Sequence, residues 1–239
     1  QAFDQMAGQM ESLLEGVAVF MKALLPAYYI ALTGACGVAT ATAFYQMILI
    51  LIFLTEKILL LFILPAIRMY LVLELINFLT KEEFLSKMTE LLKNGILWAL
   101  KSMVGVIVGI QLIQRLISPA VDTQKRSLIG RTAGALPGVG NLFSGITEVV
   151  LGSAVLIKNC LGAAAIVILL LAGAAPLCRM GISALVYQFL AALVQPVTDR
   201  RMVGCIHTMG ESLGMLVRML LTMEILFLLT IAILAGSLQ

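Results

Sequence analysis

Charge is scarce in this sequence. Asp, Glu, Lys and Arg make up 12% of the 239 residues, against about 25% in an ordinary soluble domain. Histidine occurs once, at His207. One imidazole cannot supply the three or four ligands of a usual zinc site unless carboxylates or partners complete it. The four cysteines, Cys36, Cys160, Cys178 and Cys205, are far apart and form no C-x-x-C, so neither a metal knuckle nor a disulfide framework is expected. Three of them, Cys36, Cys160 and Cys178, lie in uncharged runs, where a small buried thiol is expected. The Walker lysine pattern is absent. No Ser-His-Asp order, G-x-S-x-G or paired catalytic carboxylates appear in a polar setting. The basic residues are scattered and the net charge is +3, so no nucleic-acid patch stands out. These absences point away from an enzyme, and no cofactor or metal is implied.

What the chain has in excess is apolar surface. Hydrophobic residues are 61% of it and mean hydropathy is +1.06. A small soluble fold hides only about 70% of what its unfolded chain exposes, so the solvent for this chain must be lipid. Ala23–Thr55 is an uncharged run of 33 residues, Asn159–Cys178 one of 20, and Met180–Thr198 one of 19. Gly95–Gln114 carries a single charge, Lys101. A helix needs about 20 apolar residues to cross a hydrocarbon core of about 30 Å. The runs lack the alternation of a lipid-spanning barrel. The fold class is all-α, a polytopic transmembrane helix bundle of about seven spans, with six or eight as alternatives.

The spans fall near Val17–Leu32, Val38–Leu54, Ile58–Phe78, Gly95–Ile117, Asn159–Ala175, Met180–Val194 and Met202–Ala235. Residues 1–15 form an interfacial lead-in with an apolar stripe at Met6, Met10, Leu13, Leu14 and Val17, and residues 16–239 a single membrane domain. Breaks are expected at Thr33-Gly34-Ala35-Cys36-Gly37, at Glu56-Lys57 and at Pro176–Arg179, and Pro26 is a candidate kink. Residues 80–94 read as an amphipathic interfacial helix, opened by a Thr80/Glu83 capping box and followed by Trp98 at the start of the fourth span. Residues 118–157 hold two short apolar arms around Pro137, Gly138, Val139, Gly140 and Asn141, which fits a re-entrant tip or, equally, an interfacial turn. Alternating spans put seven basic residues on one side and four on the other, which by the positive-inside rule places the N-terminus in the cytoplasm.

On the last helix Arg200, Gly204, His207, Glu211, Gly214 and Arg218 are spaced by 4, 3, 4, 3 and 4 residues. At 100° per residue they share one stripe, which will not face lipid. The stripe is either the wall of a water-filled path or, favoured here, a helix seam with Glu211 paired to Arg218 or to a neighbouring helix. Gly210-x-x-x-Gly214 and Gly105-x-x-x-Gly109 support close packing. Glu74, Glu148 and Glu224 are further intramembrane acids. Glu74 and Glu224 read evenly as coupling-ion carboxylates or as acids paired with Arg68, Lys101 or Arg115.

Several segments in order resemble the stage III sporulation protein AE family of endospore-forming bacteria. They are Leu116-Ile-Ser-Pro-Ala-Val-Asp122, Leu136-Pro-Gly-Val-Gly140, Glu148-Val-Val-Leu-Gly-Ser153, Leu156-Ile-Lys-Asn159 and Leu193-Val-Gln-Pro-Val-Thr-Asp-Arg200. Gly34–Thr42, with its small residues and threonines, is similar too. The resemblance runs from about Leu13 to Gly236. It implies a non-enzymatic membrane subunit of the secretion-like channel complex between mother cell and forespore. The expected partners are the lipid bilayer and the other membrane subunits of that complex, with a homo-oligomer as an open alternative. The expected location is the bacterial cell membrane, the mother-cell membrane around the forespore. The family pattern also implies a signal sequence and an extra-membrane region ahead of Gln1, and so an outside N-terminus, opposite to the charge count. Two other functions remain open, a self-sufficient small-molecule or ion permease and a passive membrane scaffold.

Overall fold

A computed structural model of the chain describes residues 2–36, 38–80, 85–133 and 140–236. Of 113–133 and 140–151 it describes the helical backbone alone. All elements among the described residues are helical: α1 (Ala2–Cys36), α2 (Val38–Ile58), a π-helical turn (Leu59–Ile63), α3 (Leu64–Leu79), α4 (Ser86–Ala133), α5 (Gly140–Val194) and α6 (Arg200–Gly236). Five stretches are long and apolar enough to cross a membrane: Ala2–Thr33, Ala41–Leu79, Ser86–Leu112, Asn159–Val194 and Arg200–Ala235. The all-helical membrane fold stands; among the described residues five helices, not seven, are long and apolar enough to cross, and two expected breaks are continuous helix.

The first of these is Glu56-Lys57, where the chain passes straight through. The ammonium of Lys57 lies 5.8 Å from the centre of the Phe53 ring one turn back, so its stem follows the apolar surface while its charge finds an aromatic face. The irregularity comes later, at Pro65. Proline has no N–H and its ring crowds the carbonyl four residues back. The ladder widens just before it, and the Leu64 N–H bonds the Leu59 carbonyl, five residues back. That wide turn lets α2 run into α3 without a loop. The second expected break is Pro176, which lies inside α5. The residues just before it are Ala172-Gly-Ala-Ala175, small enough for the proline ring to fit against the preceding turn. Pro26 is likewise inside α1. The expected break around Gly34–Gly37 is present, with α1 ending at Cys36 and α2 starting at Val38.

Three local expectations are corrected. Thr80 is not an N-cap. It closes α3 in extended geometry, and its hydroxyl donates to the Ile76 carbonyl at 2.6 Å. Glu83 lies outside the described residues. The 80–94 segment does not form a separate helix, because from Ser86 onward it is the first part of α4. Cys160 and Cys178, expected to be buried thiols, are exposed on α5.

The chain divides into two compact units. The first comprises Gln1–Val19, Phe53–Gly105 and Leu169–Ile225. Its core takes Phe3, Met10 and Leu14 from α1, Leu59 and Ile67 around the π turn, and Leu213, Leu216 and Leu220 from α6. The expected stripe of the lead-in is therefore packed at Met10, Leu14 and Val17. The second comprises Phe20–Ile52, Val106–Ile168 and Leu226–Gln239. Here Met21, Leu25, Tyr28 and Leu32 bury one face of α1. The Tyr29 hydroxyl lies 3.2 Å from Thr42 Oγ1. Since Thr42 gives its own proton to the Val38 carbonyl, Tyr29 is the donor of that bond. Gln111 Nε2 donates to Thr230 Oγ1 at 2.8 Å, and Thr230 passes its proton to the Leu226 carbonyl. Outward-facing side chains are also large and apolar, among them Ile50, Phe62, Trp98, Leu171 and Phe189. A surface this apolar suits hydrocarbon as its solvent.

Candidate functional site

Among the described residues, the most polar assembly within the spans belongs to the first unit and centres on Glu211. Its Oε2 accepts a 2.6 Å hydrogen bond from the hydroxyl of Tyr70 on α3. Its Oε1 is ion-paired to the ammonium of Lys93 on α4. Three helices are therefore joined by one carboxylate, and each oxygen has its own donor. Tyr70 is buried. The Lys93 and Glu211 side chains keep 35% and 26% of their surface, so the pair is half-buried and not sealed.

The expected stripe on α6 separates into unlike parts. Gly204 is a close-packing position, since a methyl group there would collide with the Phe78 ring. Gly210 is another, with a methyl falling 2.9 Å from Gln188 Cγ and 3.1 Å from the Ala184 carbonyl on α5. Gly214 is open, since a methyl group there would have nothing within 4 Å among the described residues, and the same holds for Gly105 and Gly109. The two small-residue motifs thus contribute one tight glycine, at Gly210, and no paired seam. Arg200, His207 and Arg218 are exposed. Glu211 pairs with a neighbouring helix and not with Arg218, because Lys93 and Tyr70 already occupy both of its oxygens.

Of the other acids, Glu224 is buried, and its Oε1 has no hydrogen-bond partner among the described residues. The carboxylate rests on Gly173 of α5, where a methyl group would overlap it. Glu74 Oε2 is likewise buried without a partner among the described residues. Arg68, a proposed partner for them, instead meets Glu11 of α1 at 3.3 Å. Pro137 and Gly138 lie outside the described residues. Gly140 and Asn141 open α5, and the side chains of Asn141 and Glu148 are outside the described set. Among the described residues no group of three His, Cys, Asp or Glu side chains is placed to hold a metal.

A further string on α6 has the letters of a catalytic motif. Gly210-Glu-Ser212-Leu-Gly214 spells G-x-S-x-G. A nucleophile elbow needs a sharp strand-to-helix turn that presents the serine. Here the pentapeptide is mid-helix in α6, and Ser212 is fully buried. It is no elbow. Sequence reasoning also missed Tyr70 and Lys93 as partners of Glu211. Nothing in their local patterns signals a contact made 141 and 118 residues away.

The chain matches the family model described as Stage III sporulation protein AE over residues 1–237. The chain belongs to this family. It is similar to the Stage III sporulation protein AE of Bacillus subtilis (strain 168), with 24% identity over 228 residues, covering 94% of this chain and 57% of that protein. The chain therefore spans a little over half the length of this relative. No solved structure matches it significantly. Family membership and five helices long and apolar enough to cross a membrane together fit a membrane protein.

Proposed function

We propose that the chain is a non-enzymatic integral membrane subunit of the channel or secretion-like complex between mother cell and forespore, held in the mother-cell membrane around the forespore. The observation that carries this reading is the family match across residues 1–237. The Glu211–Lys93–Tyr70 cluster supports a subunit that must keep a defined shape in lipid. A charge network joining three helices fixes their register, because each polar group left alone at membrane depth costs several kcal/mol. Partners are other membrane subunits of the complex, and the N-terminus lies outside the cytoplasm.

The test is genetic and topological. Deleting the gene in its own host should abolish heat-resistant spores, and reintroducing the chain should restore them. Cysteines placed beyond each end should label from opposite sides of the membrane, as an odd number of crossings requires. Normal sporulation without the gene would sink the proposal. The permease reading draws on the orphaned carboxylate oxygens of Glu74 and Glu224. Small-solute flux through proteoliposomes holding this chain alone, abolished by Glu74→Gln/Glu224→Gln, would raise that reading above the subunit one.

A further inference from the structure

A groove on the first unit is lined from two helices. Leu97, Lys101 and Val104 of α4 form one wall, and Arg218, Leu221 and Ile225 of α6 the other. Their spacings of 4 and 3, and of 3 and 4, put each set on one helical face. The result is a trough with apolar sides and two cations in it. Leu221 and Ile225 stay 40% and 49% exposed, and both cationic side chains are exposed as well. Among the described residues neither Lys101 nor Arg218 has an acidic partner. Thr222, which also lines the groove, spends its hydroxyl proton on the Arg218 carbonyl. The acid one turn before Gly214 is committed to Lys93 and Tyr70.

These two charges sit where charge is expensive. Arg218 lies within Arg200–Ala235 and Lys101 within Ser86–Leu112, both long and apolar enough to cross a membrane. A cation at the centre of a membrane helix costs several kcal/mol unless it reaches water or meets an opposite charge. A groove that sets these two cations between apolar walls is matched to an acid carried on an apolar helix.

We propose that this groove docks a transmembrane helix of a partner protein that carries an Asp or Glu within its apolar span. The partner's carboxylate meets Lys101 and Arg218, and its apolar flanks lie on Leu97, Val104, Leu221 and Ile225. This is recognition of a helix in a groove, with charge complementarity selecting the partner. It rests on the reading of the chain as a membrane subunit and names the kind of subunit it holds.

The experiment uses the full chain in phosphatidylcholine bilayers at pH 8. The probe is a synthetic Leu/Ala helix of about 22 residues, long enough to span, with a central Glu, compared with the same helix bearing Gln. Energy transfer between labelled probe and protein reads association. The Glu helix should bind about tenfold more tightly than the Gln helix, the scale of a polar interhelical contact. The preference should vanish in Lys101→Gln/Arg218→Gln and persist in Lys101→Arg/Arg218→Lys, with the melting of both variants close to the parent. Equal binding of the two probes, or a preference that survives the Gln variant, overturns the proposal. So does displacement of the Glu helix by phosphatidylglycerol, which would assign the groove to a lipid phosphate. Self-association of the chain that the Gln variant abolishes would assign it to a second copy and overturn it too. Spore counts separate the two readings. A chain that restores sporulation yet ignores the Glu helix refutes the groove alone, and one that prefers the Glu helix but is dispensable for sporulation refutes the subunit reading alone.

Discussion

Replacing Tyr70 by Phe removes one oxygen and leaves the ring's packing intact. Tyr70 is buried, and its hydroxyl gives a 2.6 Å hydrogen bond to the Glu211 carboxylate. A hydrogen bond to a charged group contributes about 1.5–3 kcal/mol. For a chain of this size 1 kcal/mol moves Tm by about 2–4 °C, so Tyr70→Phe should lower it by about 3–12 °C. Lys93→Met removes the other donor and leaves the acid without its counter-charge. Breaking a fully buried pair costs about 3–5 kcal/mol. The 35% and 26% exposure of these side chains places this one toward the bottom of that range or below it. Since both donors serve one carboxylate, the double variant should depart from additivity by about 1 kcal/mol. The assay is thermal unfolding in lipid bicelles, followed by circular dichroism at pH 7 and low salt. Exchange of the charges, Lys93→Glu with Glu211→Lys, should recover part of what either single reversal loses. A Tyr70→Phe protein that melts within about a degree of the parent, together with strict additivity, would refute the claim that this cluster ties α3, α4 and α6 together.

Three further outcomes follow from packing. Gly204→Ala should destabilise by about 1–3 kcal/mol, because its methyl meets the Phe78 ring, and Phe78→Leu in the same chain should recover part of the loss on a thermal melt. Gly173→Ala should be similarly harmful through Glu224, while Gly214→Ala, which has open space around it, should be neutral or stabilising by up to about 1 kcal/mol. Comparing Gly173→Ala with and without Glu224→Ala in unfolding experiments checks that the carboxylate is the obstacle. Gln111→Leu should cost about 0.6–2 kcal/mol by removing the contact to Thr230, read as a lower Tm.

The class of the molecule was legible because it depends on composition. A chain with this little charge and such long apolar runs can be solvated only by lipid, and lipid demands helices whose backbone bonds are internal. The break between α1 and α2 was legible too, since paired glycines weaken helical continuity. Pro176 misled because a proline's effect depends on its surroundings. Small residues before it let the helix continue, as the π turn before Pro65 does there. Lys57 misled because a long cationic side chain can lie along its own helix instead of ending it.

The polar stripe on α6 shows where local pattern stops. Periodicity placed Glu211, Gly214 and Arg218 on one face, and that much follows from 3.6 residues per turn. Which of them meets a partner is a long-range fact. Glu211 finds Tyr70 and Lys93 because α3 and α4 bring those side chains to it, while Arg218 further along the same stripe meets a groove. The sequence by itself determined that this chain lives in a membrane as helices and carries costly charge within them. Only the tertiary structure decided which charges are satisfied inside the chain and which are left facing outward, because pairing depends on distances between helices that no spacing along one helix encodes.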